Sequence, residues 1–397
     1  MAKVLCADIG TTSLKAAVID ENGCLYGSQR YVFCFSEETE GFEAREWLEA
    51  FKTCAEKLTL ENEIDAVCIS GNGPTVVCES FRTILWNAPS EPEMELDSLP
   101  RVTSLFLPKI SAMKKNFLSD FSSTKYIFGA PEFLIYKLTG NAVTILPEAR
   151  YEEVYWTEEE ITLCGFTSEE RKKLPHFVEI GFNAGIIPSE KAAEFGLKKS
   201  VPVFCGGPDF VMAIIGTNTL KSGKICDRSG SSEGINFCVE KPVYMEGIRT
   251  LPSVMSGLWN LSVLIPESGI RLERFRNEIN ALSGKENSWE EIIDYCFSDK
   301  NSEGYHEMLK ICNKVRNGIE LLRKIAVQSN QKIESVMTVT GGQAKNDLWL
   351  EKKPLIQESI LVSVKSGILN LPEMPAPLFT EWDFSNQFRK PLQISLK

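Results

Sequence analysis

The sequence predicts an α/β protein of two domains, and three observations favour this fold class. The chain has 397 residues, more than one typical core holds, so two domains with a cleft between them are the expected arrangement. Its first third alternates short β-type runs with turns and then enters a helical pattern, which suits a mixed sheet better than a purely parallel one. Glycine-rich strand-to-helix turns recur in the middle and near the end of the chain.

The predicted elements follow from apolar periodicity in chain order. Strands are predicted at residues 4–7, 15–20, 25–33, 64–70, 201–205, 224–228, 234–239 and 335–340. Helices are predicted at residues 47–57, 103–116, 131–138 and 305–328. The stretch 88–100 and the proline-containing tail from residue 371 carry no regular pattern.

Composition excludes several classes of function. The hydrophobic fraction of 43% is that of a globular protein, and no apolar run is long enough to cross a bilayer or act as a secretion signal, so a soluble, cytoplasmic protein without membrane partners is expected. The formal charge of −11 argues against a nucleic-acid partner. Twelve cysteines without a Cys-x-x-Cys pair predict reduced thiols, and two histidines give little material for a zinc site.

The segment 8–15 reads Asp-Ile-Gly-Thr-Thr-Ser-Leu-Lys and closes the first predicted strand. Asp8 is followed by a glycine and three hydroxyl residues, which places backbone N–H groups, hydroxyls and a carboxylate suited to Mg²⁺ at one turn. These are the groups that a polyphosphate site needs. For so short a motif, a polar hairpin whose hydroxyls only satisfy the turn backbone is the alternative.

The segment 206–209, Gly-Gly-Pro-Asp, follows a strand and is predicted to open a helix with its proline and aspartate in the first turn. A carboxylate at that point is well placed to accept the proton of a substrate hydroxyl as the oxygen attacks phosphorus. The alternative is that Asp209 only caps the helix.

Two further turns complete the set. The hydroxyl-rich turn 228–234 lies between two β-type runs and suits a second face of the phosphates, with an ordinary hairpin as the alternative. At Gly341 and Gly342 the backbone can pass close to a flat ligand, and Asn346 can hydrogen-bond from the following helix, although a plain helix start has the same pattern. Neither a P-loop nor a Rossmann fingerprint is present in the sequence.

Taken in order, the four motifs resemble those of the FGGY carbohydrate kinases, nearest to the xylulokinase-like branch. Segments 69–74, 85–87, 109–116 and 131–140 are similar to family segments in the same order. The resemblance implies two ribonuclease H-like domains of the actin/hexokinase type around a central cleft. It places a sugar-binding domain at 1–217 and a nucleotide-binding domain at 218–397, with the second domain shortened or divergent after about residue 350.

The resemblance also implies ATP and Mg²⁺ as cofactors and a small sugar or polyol as the substrate. Asp209 would be the general base, and Asp8 would position Mg²⁺. Asn72, Gly73 and Pro74 stand at the family's sugar-reading loop but replace its usual glutamine and the polar pair that follows. The residues expected at the nucleotide are Thr11, Thr12, Ser13, Lys15, Gly230, Ser231, Gly341, Gly342 and Asn346.

Departures from the family pattern leave alternatives to a kinase. The aspartate and arginine that usually follow segment 85–87 are missing, and Ala112 stands in place of the signature tryptophan. A shortened second domain would leave an apolar face uncovered, which predicts a partner chain, as in a homodimer, or reduced stability. A catalytically impaired relative that binds nucleotide or sugar as a sensor or scaffold is therefore the runner-up, ahead of an actin-like ATPase. Asp209 favours the kinase.

Overall fold

The computed structural model describes residues 1–35, 40–88, 102–230, 232–266, 268–334 and 336–356. The chain divides into two compact units, of which the first takes in Met1–Met212 and the second begins at Ala213. The border falls inside the helix Asp209–Gly216. The predicted irregular stretch at 89–100 and the predicted tail from residue 371 lie outside the described residues.

A six-stranded mixed sheet forms the centre of the first unit. Its strands are β1 (Lys3–Ile9), β2 (Ser13–Asp20), β3 (Leu25–Val32), β4 (Ala66–Gly71), β10 (Asn183–Ile187) and β11 (Val201–Pro208). They lie in the order β10-β11-β4-β1-β2-β3. Strands β1, β4 and β11 are parallel, whereas β2, β3 and β10 are each antiparallel to their neighbours. The mixed sheet agrees with the sequence prediction.

Burial along the strands follows their places in this sheet. Edge strand β3 alternates between half-buried and exposed residues, as expected when one face meets solvent. Every residue of the inner strand β4 is buried. The helix α1 (Ala44–Thr59) buries Trp47 and Phe51 in the core on this sheet, and the helix α4 (Ala130–Thr139) adds Phe133. The left-handed residue Gly140 ends α4, and its N–H donates to the carbonyl of Tyr136.

Shorter elements complete the first unit. The strands are β5 (Val76–Cys78), β6 (Thr83–Ile84), β7 (Ile127–Phe128), β8 (Thr144–Leu146) and β9 (Phe177–Glu179). The helices are α2 (Leu107–Asn116), α3 (Leu118–Ser123), α5 (Glu152–Tyr155), α6 (Glu158–Leu163), α7 (Ser168–Arg171), α8 (Ser189–Glu194) and α9 (Asp209–Gly216).

A five-stranded sheet forms the centre of the second unit. Its strands are β12 (Ile225–Ser229), β13 (Glu233–Val239), β14 (Arg249–Pro252), β15 (Trp259–Ile265) and β16 (Met337–Thr340), in the order β14-β15-β13-β12-β16. Only β12 and β16 are parallel among these neighbours. The helices are α10 (Ser268–Ser283), α11 (Trp289–Ser298), α12 (Glu303–Gln328) and α13 (Asp347–Ile356).

Several predicted boundaries are wrong by a few residues, and two of the differences have identifiable reasons. The helix predicted at 103–116 begins at Leu107, because the Ser104 hydroxyl accepts hydrogen bonds from the N–H groups of Phe106 (3.1 Å) and Leu107 (2.9 Å). The strand predicted at 201–205 continues to Pro208, because β11 pairs with β4 again at Pro208 after an irregularity beyond Cys205. Proline therefore ends the strand, and the helix begins at Asp209.

Glu132 on α4 gives the first unit a pH-dependent stability. Its side chain is buried, its Oε1 accepts a hydrogen bond from the N–H of Ile145 at 3.0 Å, and burial raises its pKa to about 7 from an ordinary 4.5. The neutral acid suits the folded state, so its contribution to stability is complete below pH 4.5 and is lost as the pH rises to about 7.

Replacing Glu132 by Gln removes this ionisation while an amide oxygen still accepts the Ile145 hydrogen bond. We expect the free energy of unfolding to exceed that of the parent by less than about 1 kcal/mol at pH 5 and by up to about 3 kcal/mol at pH 8. Urea denaturation at both pH values measures the difference. The exposed Glu169→Gln is the control, and a gap for Glu132→Gln that does not widen with pH would contradict the expectation.

Candidate active site

The turn between β1 and β2 depends on a glycine. β1 ends at Ile9 and β2 begins at Ser13, so the turn is tight. The N–H of Gly10 donates to the carbonyl oxygen of Ser13 at 3.0 Å, and a Cβ atom on Gly10 would lie 2.9 Å from that oxygen. A side chain at this position would therefore push the turn open.

The polar side chains of this turn differ in exposure. Lys15 lies opposite Asp8 across the hairpin, with its Nζ 4.0 Å from Oδ2 of Asp8. Thr12 is exposed. Ser13 is buried, and its hydroxyl accepts a hydrogen bond from Nε of Arg30 at 3.1 Å. The Ser13 hydroxyl thus supports the hairpin, whereas Thr12 and Lys15 present polar groups toward solvent.

Asn72 supports this turn from the end of β4. Its N–H donates to the carbonyl of Ile9 at 2.8 Å, and its Nδ2 donates to the carbonyl of Gly10 at 3.1 Å. Its Oδ1 accepts a hydrogen bond from the Thr75 hydroxyl at 2.6 Å, and the residue is 2% exposed. Both ends of the side chain hold neighbouring chain segments, so a substrate contact of Asn72 stays a prediction.

Trp86 is a residue of this site that the sequence motifs did not single out for a role. Its indole Nε1 donates to the Thr11 hydroxyl at 3.0 Å, and its backbone N–H donates to the Thr75 hydroxyl at 3.0 Å. The side chain is half-buried. The only sequence signal was the family-like segment 85–87, which supported the resemblance without indicating a contact with Thr11.

Asp209 is the first residue of α9 and directly follows the last residue of β11. Its Oδ1 accepts a hydrogen bond from the N–H of Phe210 at 2.6 Å. The strand is packed tightly here, because a Cβ atom on Gly206 would lie 2.6 Å from the carbonyl oxygen of Ile69 in β4. The carboxylate of Asp209 is thus set on a rigid strand-to-helix junction, where the helix dipole favours a negative charge.

Strand register brings Asp8, Asn72 and Asp209 to one edge of the sheet. Ile9 of β1 pairs with Gly71 of β4, and Gly71 in turn pairs with Pro208 of β11. Since these three strands are parallel, their carboxyl ends meet at the same edge, which is where ligands bind in open α/β sheets. Residues of three separate sequence motifs therefore form a single candidate site within the first unit.

In the second unit, two of the glycine turns touch. The parallel strands β12 and β16 end side by side, at Ser229 and Thr340. Gly341 has φ +96°, and a Cβ atom on it would lie 2.5 Å from the carbonyl oxygen of Ser229. The N–H of Gly230 donates to the carbonyl of Ser232 at 3.0 Å. Ser231 lies outside the described residues.

Asn346 stands at the start of α13, just after these turns. The residue is 8% exposed, and its Oδ1 accepts a hydrogen bond from the N–H of Trp349 at 2.8 Å. Its Nδ2 is buried and has no hydrogen-bond partner among the described residues. A buried amide donor without a partner is costly, so a ligand acceptor at this point would be favourable.

The sequence is similar to those of curated carbohydrate kinases. It is 24% identical over 298 residues to a xylulose kinase of Lactococcus lactis, covering 62% of this chain and 59% of that kinase. It is 27% identical over 164 residues to a gluconokinase of Bacillus subtilis, covering 41% of this chain and 29% of that protein. The chain thus spans less than two thirds of the length of these relatives. No protein-family model matches the sequence.

Solved structures give the same result for the fold. A ligand-bound xylulose kinase from Lactobacillus acidophilus superposes with a TM-score of 0.73 at 15% identity, over 96% of this chain and 88% of that one. A glycerol kinase from Plasmodium falciparum with ADP superposes with a TM-score of 0.69 at 15% identity, over the same shares of the two chains. The chain resembles FGGY carbohydrate kinases of the xylulokinase-like branch in sequence and in fold. Its predicted actin/hexokinase-type α/β fold is confirmed.

Two observations in the second unit indicate room for a ligand near the turn at Gly341. The buried Nδ2 of Asn346 lacks a partner among the described residues, and a Cβ atom on Gly342 would meet nothing within 4 Å. The unpartnered donor of Asn346 and the empty space at Gly342 thus belong to one short segment, which begins at the Gly341 turn.

The residues at the Asp8 turn also suit Mg²⁺. No group of three or more His, Cys, Asp or Glu side chains within the described ranges is arranged to hold a metal ion. Mg²⁺ differs from other metals in this respect, because it commonly takes one or two carboxylates together with substrate phosphates and water. The Asp8 carboxylate, at the carboxyl edge of the sheet, has the right chemistry for that role.

None of the helices in the described part of the chain is both long and apolar enough to span a membrane.

Proposed function

We propose that the chain transfers the γ-phosphoryl group of ATP to a hydroxyl group of a small sugar or polyol. The observation that carries this proposal is the meeting of Asp8 and Asp209 at one edge of the first sheet, at the ends of two of its parallel strands. Phosphoryl transfer needs a carboxylate near the metal and a second one near the attacking hydroxyl. The likeness to xylulose, gluconate and glycerol kinases supports the same reaction class.

Asp209 acts as the general base in this proposal. The acceptor hydroxyl binds beside the start of α9, and Asp209 takes its proton as the oxygen attacks the γ-phosphorus. The N–H of Phe210 already donates to Oδ1 at 2.6 Å, which helps to fix the carboxylate at the start of α9. Because the residue sits between a paired strand end and a helix start, it keeps this orientation without reorganisation.

The β1–β2 turn binds the phosphates. Thr12 and Lys15 supply a hydroxyl and a positive charge, and the Thr11 hydroxyl is oriented by the Trp86 indole. Asp8 would hold Mg²⁺, which when bound neutralises the charge that develops on the transferred group. In the second unit, Gly230 and Gly341 would lie along the phosphates, and Gly342 and Asn346 would contact the adenosine. Ser231 is proposed for the same loop on its sequence alone.

A coupled assay of ADP release tests this function directly. The panel contains ketopentoses, aldopentoses, polyols and gluconate, each with ATP and Mg²⁺. We expect at least one of these acceptors to raise ADP release well above the rate without an acceptor. If none does, and ATP with Mg²⁺ still raises the melting temperature, the kinase proposal is contradicted and nucleotide binding alone remains.

The Trp86–Thr11 hydrogen bond gives a second test within the same site. Trp86→Phe keeps the aromatic ring but loses the donor, and one hydrogen bond between neutral groups contributes about 1 kcal/mol, so kcat/KM is expected to fall by about 5-fold to 10-fold. Thr11→Val removes the acceptor together with the proposed phosphate contact and is expected to lower kcat/KM at least as much. The double variant should then be no worse than Thr11→Val alone. Fully additive losses would show that the two side chains act independently.

A further inference from the structure

Three charged side chains from distant parts of the chain are buried together in the second unit. Asp227 lies on β12, Glu233 on β13 and Lys353 on α13. Their side chains are 1%, 0% and 8% exposed, respectively. Nζ of Lys353 lies 3.1 Å from Oδ2 of Asp227 and also contacts Oε1 of Glu233.

The cluster holds one base and two acids, so Lys353 can neutralise only one of the two carboxyl groups. Oδ1 of Asp227 and Oε2 of Glu233 are both buried and have no hydrogen-bond donor among the described residues. Burial, with Asp227 as the next cause, raises the pKa of Glu233 to about 8, although Lys353 opposes the shift. The raised pKa favours the protonated form of Glu233 at neutral pH, as expected for a second buried acid beside a single base.

This cluster lies directly behind the two glycine turns of the second unit. Glu233 pairs with Ser229 across the hairpin that carries Gly230, and the Ser229 hydroxyl donates to Oε1 of Glu233 at 3.4 Å. Ser229 is also the residue whose carbonyl oxygen touches Gly341. Ser229 therefore connects the buried charges to both turns: it contacts Glu233, it directly precedes Gly230, and it lies against Gly341.

Helix α13 links the cluster to Asn346. The first turn of α13 is held by two hydrogen bonds of Trp349, from its N–H to Oδ1 of Asn346 and from its indole to Oε1 of Gln343, both at 2.8 Å. Lys353 lies one turn beyond Trp349 on the same helix, and its Nζ is 5.8 Å from the Trp349 ring. Lys353 therefore fixes α13 to β12 and β13 at a set position along the helix.

Stability alone gives a weak reason for such an arrangement. An apolar side chain of similar volume in place of a buried ion cluster is often neutral or stabilising, because it avoids the cost of removing charges from water. A buried ion cluster differs from apolar packing in being directional, since a shift of α13 by one residue would separate Lys353 from both acids. Ionic contacts of this kind are suited to set a register.

We propose that Lys353 is a positioning residue for nucleotide binding: through Asp227 and Glu233 it holds α13, and with it Asn346, in register with the Gly230 and Gly341 turns. This inference rests on the proposed function, in which those turns and Asn346 bind the nucleotide. Lys353 itself does not touch the nucleotide. Its effect should appear in affinity for ADP and ATP and not in affinity for the acceptor.

The test measures ADP binding to the full chain by calorimetry in the presence of Mg²⁺, together with the melting temperature. Lys353→Met removes the base that both buried acids contact, and we expect a lower melting temperature and at least tenfold weaker ADP binding. The KM for ATP should rise while the KM for the acceptor stays the same. Lys310→Met is the matched control, because that lysine is exposed and pairs with Glu307 one turn away on α12.

A double variant separates positioning from packing. Lys353→Met with Asp227→Asn removes one acid together with the base, and the raised pKa of Glu233 favours its neutral form, so the melting temperature should return close to that of the parent. If ADP affinity stays at least tenfold weaker, the ionic contacts set the register, as proposed. If ADP affinity returns together with the melting temperature, the cluster only packs the unit and the proposal is overturned.

Failure of the inference can be told apart from failure of the proposed function. A parent chain that binds ADP while Lys353→Met binds it equally well overturns the positioning role alone. A parent chain that binds no ADP contradicts nucleotide binding itself, and the positioning role with it.

Discussion

Replacing Asp209 by Asn is expected to lower kcat by about three orders of magnitude, because a positioned general base contributes roughly 10²-fold to 10⁴-fold. The amide cannot take a proton from the acceptor hydroxyl. Its oxygen can still accept the hydrogen bond that the N–H of Phe210 gives to Oδ1, so the start of α9 should be retained. The melting temperature and the KM for ATP are expected to stay near the parent values, which places the loss in the chemical step.

Asp65→Asn is the matched control for this substitution. Asp65 precedes β4, so it lies at the opposite edge of the sheet from Asp209, and its carboxylate pairs with Lys199 at 2.8 Å on the surface. We expect its kinetic constants to match those of the parent. The coupled ADP-release assay, with the best acceptor of the panel, measures both variants. More than about a tenth of the parent turnover in Asp209→Asn would remove this residue from the role of base.

The features that the sequence predicted well are those fixed by neighbouring residues. The turn at Gly10 and the helix start at Asp209 each depend on a few adjacent positions, so their residue types carry most of the information. Parallel strands then bring the two motifs to one edge, as the family-like order implied.

Not every feature that went unpredicted depends on distant partners. β15 (Trp259–Ile265) and α10 (Ser268–Ser283) fall in a stretch for which no element was predicted. In α10, Ser268 and Leu272 are buried, and Phe275 and Ile279 are partly buried in the same cluster as Leu272. Leu272, Phe275 and Ile279 stand at the i, i+3 and i+7 spacing of a helix, so local periodicity did indicate this element.

Lys353, by contrast, shows a limit that distant partners set at the level of a single side chain. In the sequence it stands beside Lys352 and resembles a surface residue, yet it is buried against Asp227, 126 positions away. The contact between Trp86 and Thr11 likewise joins residues 75 positions apart. Such pairs become visible only when the sheet brings the segments together, and no local pattern encodes them.

Alanine substitutions at the adjacent glycines Gly341 and Gly342 are expected to have different effects, the first on stability and the second on nucleotide binding. Gly341→Ala is expected to lower the free energy of unfolding of the second unit by about 4 kcal/mol. Left-handed backbone costs a residue with a Cβ atom roughly 1–3 kcal/mol, and a clash in a packed site adds a similar amount. Gly341 meets both conditions, with φ +96° and a Cβ position 2.5 Å from the carbonyl oxygen of Ser229.

Gly342→Ala should leave stability unchanged, since this residue has φ −61° and ψ −40°, which any residue adopts, and its Cβ position meets nothing within 4 Å. In the proposed function, that open space receives part of the nucleotide. An added methyl group would then weaken ADP binding, by about tenfold if it displaces a well-packed contact worth about 1.4 kcal/mol.

Thermal melting and ADP calorimetry on the two variants separate an effect on stability from an effect on nucleotide binding. Each glycine variant serves as the control for the other. A parent-like melting temperature for Gly341→Ala would mean that the close approach to Ser229 is not required by the fold. Parent-like ADP affinity for Gly342→Ala would place the nucleotide away from this turn. We expect Gly341→Ala to be unstable and Gly342→Ala to be stable but weak in ADP binding. This pattern would mean that the fold needs Gly341 for its backbone geometry, whereas Gly342 leaves space for the ligand.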